Sequence, residues 1–349
     1  MSARSERTLA QRLFEPARID RQSPFAFAVT HALLFLWALV VLVPLYWVLI
    51  TSFKGPGEVD NGPFYIPFVD FKPSLAAWDF MLLQNYTLGP YLYSVVVALV
   101  STLLAVLIGA LAAYALVRIR FAVKLAGVAL FILLLIAVIV AVAALRVYWP
   151  VAAAVALCLF VISLFTLVGR TRAAVGNGDV EFWIISNRIM PPIVAVLPIY
   201  VMFQHLHLLD TQAALIATYT AVNLPIVVWL TRDFFAAIPR DLEESAEIDG
   251  ASKLRVFATI ALPLVRSGLV ATFLLVLILA WNEYLLALFL SNANAQTMPV
   301  LVSAQNTTRG PQWWNMSVLI VVMIAPVIVI ASVLQKHIAR GLLVGAVKG

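Results

Sequence analysis

From Val29 to Ile50 the chain runs for 22 residues without an acidic residue, a lysine or an arginine. At 1.5 Å per residue such a helix is about 33 Å long, enough to cross a hydrocarbon core of about 30 Å. Comparable apolar runs recur at about 91–117, 125–145, 151–168, 181–206 (interrupted by Arg188, Pro191, Pro192 and Pro198), 212–231, 264–290 and 316–335. Across 349 residues 63% are hydrophobic and 11% charged, too apolar for a water-facing surface. The expected class is all-α: a polytopic transmembrane helical bundle of about eight spans. The first run starts late, is too long for a signal-peptide core and lacks a small-residue cleavage site, so it reads as a retained helix.

Lysine and arginine set the orientation. Eight spans put both termini on one side. That side carries five cations in the N-terminal arm, three near 118–124, two at 170–172, five in 232–266 and three in the tail. The other side carries Lys54, Lys72, Arg146 and Arg309. The excess places both termini in the cytoplasm by the positive-inside rule. The net charge of +6 therefore reads as topology and not as nucleic-acid binding. Residues 52–90, rich in turn formers and aromatics (Phe64, Tyr65, Phe68, Phe71, Trp78, Phe80), read as a folded external loop. Cys158, the one cysteine, supports no disulfide or metal site and reads as a small buried hydrophobe.

The exception among the inner loops is Arg232–Pro263, RDFFAAIPRDLEESAEIDGASKLRVFATIALP. Asp241 followed by Glu244 suggests a capping box after Pro239. A short helix is expected over Leu242–Ile248, ended by a left-handed turn at Gly250, with a second short helix from about Ser252 to Pro263. The result is a helix-turn-helix on the cytoplasmic face. One side would be acidic (Asp241, Glu243, Glu244, Glu247, Asp249) and the other apolar (Leu242, Ala246, Ile248, Ala251). It could dock into a soluble partner while joined to two membrane helices, or serve as a solvated connector. Patterning alone leaves both open.

Within the spans, Arg188, Asn223, Asn282 and Glu283 are costly to bury. They would either line a watery pathway for a polar solute or fix helix packing. There is no GxxxxGK[ST] phosphate loop and no clustered catalytic His, Cys and carboxylate set, so the chain reads as a transport subunit and not an enzyme.

Glu244-Ser245-Ala246, then Asp249-Gly250-Ala251, then Ile260, Leu262 and Pro263 resemble the EAA loop of ABC importer permeases, with Ser245 in place of the middle alanine. Arg188-Ile189-Met190-Pro191-Pro192, His207–Thr211, Asn223-Leu224-Pro225, Trp281-Asn282-Glu283 and Gly341–Gly349 are similar to the carbohydrate-type, MalG-like branch. The resemblance is loose over 25–117 and close over 179–349. It implies a six-span permease core plus an added hairpin. The domains are then a cytoplasmic arm (1–28), first spans with the external loop 52–90 (29–117), an extra transmembrane hairpin (118–178), and a core (179–349) holding the coupling loop 232–263. It also implies a subunit of an ATP-driven sugar or polyol importer in the bacterial inner membrane. The expected partners are a second permease, two ATP-binding subunits and an extracytoplasmic solute-binding protein. ATP and Mg would be used by the partner ATPase, and this chain would bind no cofactor, metal or nucleic acid. A secondary transporter or channel for a small polar solute is the alternative.

Overall fold

The computed structural model describes residues 23–345 except 63, 86, 121–122, 167–173, 188–190 and 309. The chain divides into two compact units, one of residues up to Gly89 with Leu301–Pro326, the other of Pro90–Val300 with the residues from Val327 on. Residues 1–22 of the expected N-terminal arm, the cations Arg170 and Arg172, and Arg188 lie outside the described residues.

In the first unit, α1 (Pro24–Thr51) starts where the Ser23 hydroxyl accepts from the Ala26 amide at 3.2 Å and Pro24 occupies the first turn. Its apolar side chains are almost all exposed. That is the pattern of a helix solvated by lipid, where no apolar surface has to be hidden. The loop beyond it is folded, as expected, and aromatics do the packing. Phe53 stacks on Trp78 at 5.7 Å and Trp47 meets Tyr65 at 5.2 Å. The loop also holds two short helices, α2 (Pro56–Asp60) and α3 (Ala76–Asp79), the latter continued by a π turn over Phe80–Gln84.

In the second unit, α4 (Leu88–Arg118) buries a stripe of small residues: Ser94, Ala98, Ser101, Thr102, Ala105, Gly109 and Ala113. They recur every three to four residues, so they share one face. Small side chains let backbones approach where no hydrophobic drive exists between helices. The facing helix is α9 (Gln212–Ala236), reached after four further segments. These are the hairpin of α5 (Leu125–Ala143) and α6 (Trp149–Thr166), then α7 (Asn177–Ser186) and α8 (Pro192–His205). A Cβ added at Gly109 would lie 2.5 Å from Cγ1 of Val227, which is fully buried. Gly109→Leu is therefore expected to cost about 3 kcal/mol, the top of the overpacking range. The drop should appear in the Tm of the purified permease. An unchanged Tm would refute this packing.

The chain continues through α10 (Arg240–Ile248), α11 (Lys253–Val256), a π turn over Phe257–Ala261, α12 (Leu262–Leu264), α13 (Arg266–Trp281), α14 (Leu285–Leu290), α15 (Met298–Ala304) and α16 (Trp313–Gly345). Among the described residues five helices are long and apolar enough to cross a membrane. They lie at Pro24–Thr51, Leu88–Arg118, Leu125–Val142, Gln212–Ala236 and Trp313–Val333. A sixth follows if the pair Lys253–Leu264 and Arg266–Trp281, bent by 80°, forms one span.

Two expected spans are interrupted. The run 181–206 is two helices, α7 and α8, because Pro191 and Pro192 lack the amide a continuous helix needs. The run 264–290 is broken at Asn282–Tyr284. The added hairpin packs on itself through contacts such as Phe131 against Phe160 at 5.8 Å. It leaves and rejoins the chain at one place, where β1 (Val123–Lys124) pairs antiparallel with β2 (Ala174–Val175). Cys158 is exposed on α6, not buried as expected.

Candidate functional site

The loop between α9 and α13 folds as a helix-turn-helix. α10 starts at Arg240, two residues before the expected start. Pro239 is its N-cap and makes no side-chain cap bond. The expected capping box from Asp241 to Glu244 is therefore absent. Asp241 and Glu243 instead sit in the first turn, where negative charge favours the helix dipole. The turn is as expected. Gly250 has φ +84°, its amide donates to the Glu247 carbonyl at 3.0 Å, and the Ala251 amide donates to Ala246 at 2.9 Å. This pair of bonds closes a Schellman motif. Ser252 then caps α11, its hydroxyl accepting from the Arg255 amide at 3.4 Å.

Glu244, Ser245, Asp249 and Gly250 are exposed, Ala246, Ala251, Ile260 and Leu262 are half-buried, and Pro263 is exposed. Leu242, Leu254 and above all Ile248, 86% exposed, present apolar surface. A charged bend with protruding apolar side chains has the make-up of a docking element.

Glu243 breaks the acidic face expected of α10: it is buried. Both of its carboxylate oxygens accept from the Arg118 guanidinium at 2.9–3.0 Å, and Oε2 accepts from the Tyr114 hydroxyl at 2.9 Å. Nη2 of Arg118 also donates to the carbonyls of Phe235 and Ile238 at 3.1 and 2.7 Å. The Tyr114 ring lies against Phe235 and Phe257. Arg118 thus ties the end of α4 to carbonyls at and just beyond the end of α9 and to the base of α10. The side chains are 10% and 7% exposed, so the pair is nearly desolvated, and its bidentate geometry supplies the bonds that make such burial tolerable. A second tie joins Arg232 at the end of α9 to Glu181 on α7.

Deeper in the second unit a cavity of about 600 Å³ is lined by Asn187, Pro191, Pro192, Tyr219, Asn223 and Glu283, among others. Two of the pathway candidates, Asn223 and Glu283, are brought together there. Asn282 does not line it; it is exposed and bonds back to Ile278. The break at Asn282–Tyr284 is satisfied locally. The Tyr219 hydroxyl donates to the Glu283 carbonyl at 3.2 Å, and the Glu283 carboxylate accepts from the Leu286 amide at 3.0 Å. Irregular backbone at membrane depth is tolerated where it faces a cavity.

The loop after α8 is pinned by Asp210. Its residue is left-handed (φ 58°), a conformation Asp tolerates. Its carboxylate accepts from the amides of Asn292, Asn294 and Ala295 and from the Asn294 side chain at 2.7–3.2 Å. Burial would raise its pKa, but these donors outweigh that and hold the carboxyl below its ordinary value. A folded-state pKa below the unfolded one means the stabilisation is present above the unfolded value and is lost as pH falls through the folded one. Asp210→Asn should therefore cost about 1 kcal/mol near pH 7 after solvent screening. It should also remove that loss of Tm below about pH 4. Identical pH profiles for both proteins would contradict the tie.

This combination defines a polytopic membrane permease: broken helices around a polar cavity, with a rigid charged bend fixed to the helix ends. Residues 180–344 match the family of binding-protein-dependent transport system inner membrane components. Over 316 residues the chain is 31% identical to a probable ABC transporter permease of Sinorhizobium fredii, covering 89% of this chain and 92% of the relative. It is 29% identical over 320 residues to the trehalose/maltose transport system permease of Thermococcus litoralis, covering 90% and 94%. A crystal structure of a bacterial ABC transporter involved in alginate import superposes with a TM-score of 0.59 at 20% identity, covering 90% and 96%; this likeness shows the fold. The chain belongs to the family of ABC transporter permeases, inner-membrane components of binding-protein-dependent transport systems.

Proposed function

We propose that this chain is one of two permease subunits of an ATP-driven importer of a sugar or polyol. Two ATP-binding subunits and an external solute-binding protein complete the assembly. The trehalose/maltose permease relative supports the substrate class. The observation that carries the mechanism is the α10–α11 bend. Its exposed residues Glu244, Ser245, Asp249 and Gly250, with half-buried Ala246 and Ala251, would seat in a groove of the ATPase on the cytoplasmic side. Ile260, Leu262 and Pro263 would carry the movement on to α13. ATP and Mg would be bound by the partner alone.

Closure of the ATPase pair pushes the bend. Because Arg118 clamps α10 to both α4 and α9, the push moves those helices together. Of the two, α9 lines the cavity through Tyr219 and Asn223, with Glu283 contributed by the break between α13 and α14, and these polar groups suit a hydroxylated solute. Arg188 remains a proposed lining residue from the sequence.

Proteoliposomes holding the full complex test this. Uptake of a labelled sugar should require ATP on the ATPase side and stop without it. Uptake that survives ATP removal would replace this reading with a secondary transporter. Glu283→Ala and Asn223→Ala should change substrate preference at normal protein amounts; loss of the protein instead would assign both residues to packing.

A further inference from the structure

The first unit has a cavity of its own that the proposed function does not use. It measures about 510 Å³ and lies where the end of α1, the following loop and the start of α16 meet, lined by Trp47, Thr51, Lys54, Asp60, Trp313 and Ser317 among others. Three observations mark it as more than a packing defect. The Thr51 hydroxyl oxygen, on a residue 3% exposed, has no hydrogen-bond partner. A buried hydroxyl without a partner is costly, so a ligand that bonds it has something to gain. Lys54, also 3% exposed, is fixed in the wall: its Nζ donates to the Phe64 carbonyl and lies 4.5 Å from the Trp47 ring centre and 5.1 Å from that of Phe71. Trp313 is half-exposed on the lining.

The lining selects the ligand. Lys54 and Asp60 put a cation and an anion on the same wall, so neither an anionic nor a cationic solute is favoured overall. Aromatic faces with hydroxyl, ammonium and carboxylate groups match a molecule that has C–H faces and hydroxyl edges. A purely apolar occupant would leave the Thr51 hydroxyl without a partner.

We propose that this cavity is a binding site for a neutral polyhydroxylated solute, a sugar or sugar alcohol, separate from the cavity lined by Asn223 and Glu283. The choice of ligand class rests on the proposed importer function. Trp313 supplies a face for the ring, Thr51 bonds a hydroxyl, and Lys54 and Asp60 donate to and accept from others.

The test uses the assembled complex in lipid nanodiscs with Cys158→Ala and Val59→Cys, the latter on the cavity wall. Modification by a small methanethiosulfonate reagent is timed with and without a panel of monosaccharides, disaccharides and sugar alcohols. At least one should slow modification five-fold or more, and inorganic phosphate should not. Thr51→Val, which keeps the side-chain shape, and Trp313→Ala, at a half-exposed position, should each abolish the protection, read as the ratio of the rates with and without sugar in the same variant.

Three results overturn the proposal: no sugar protects, protection survives both substitutions, or the rate follows phosphate or the lipid headgroup instead. The last would assign the cavity to a headgroup. ATP-dependent sugar uptake by the same complex reconstituted in proteoliposomes separates the two claims. Uptake without protection removes this site alone, and failure of all sugar uptake removes the importer reading as well.

Discussion

Glu243→Ala is expected to destabilise the permease by about 3–5 kcal/mol and to abolish uptake. The magnitude follows from what stays behind. Arg118, with its side chain 10% exposed, would keep only the Phe235 and Ile238 carbonyls as partners, and an uncompensated buried charge costs that much. The Tyr114 hydroxyl would lose its acceptor too. Thermal unfolding of the purified permease reads the stability, and reconstituted uptake reads the function. Replacing both partners by apolar residues of similar size, Arg118→Met with Glu243→Leu, should restore most of the stability, since a buried ion pair contributes little net against good packing. Uptake should stay impaired in the double variant, because the guanidinium that joins α4, α9 and α10 is gone. Normal uptake in Glu243→Ala at normal protein amounts would show that the clamp is dispensable.

The second large effect is expected at Gly250. Its φ of +84° costs an ordinary L residue about 1–2 kcal/mol. A Cβ there meets nothing within 4 Å, so no clash adds to that cost and the chain should still fold and insert. Asp tolerates this conformation better than most residues, but Gly250→Asp adds a charge beside Glu247 and Asp249 at the turn that sets α11 against α10. The assembled complex should hydrolyse ATP yet lose most of its uptake. Gly250→Asn, a residue more at ease in the left-handed region and without the charge, should keep much more. Full uptake in Gly250→Asp would remove the coupling role from this turn.

The sequence made the bend legible because its determinants are local. Gly250 marks a left-handed residue, Ser252 a cap, and a charged segment between apolar runs marks a loop. Glu243 was not legible. It reads as one more member of an acidic face, and its partners lie 125 and 129 residues away on α4. Only the α4–α9 packing reveals that Arg118 closes the cage. The Asp210 tie is hidden for the same reason, its donors being 82–85 residues distant. Hydropathy marked eight apolar runs, and among the described residues five helices, or six with the bent pair, are long and apolar enough to cross a membrane. The break near Pro191 and Pro192 was legible from the prolines themselves. The interruption at Asn282–Tyr284 has no proline and depends on Tyr219 and Glu283 supplying the missing bonds. The pairing of β1 with β2 that closes the base of the added hairpin has no local signal at all.

The central claim is that the exposed tip of the α10–α11 bend docks on the ATPase subunit, and proximity at Ile248 tests it most directly. With Cys158→Ala and Ile248→Cys, and single cysteines along the ATPase surface, disulfide formation should be rapid at one groove and should change with the nucleotide bound. If Ile248→Cys forms no cross-link to the ATPase and stays open to a water-soluble thiol reagent in every nucleotide state, the bend is not the coupling element.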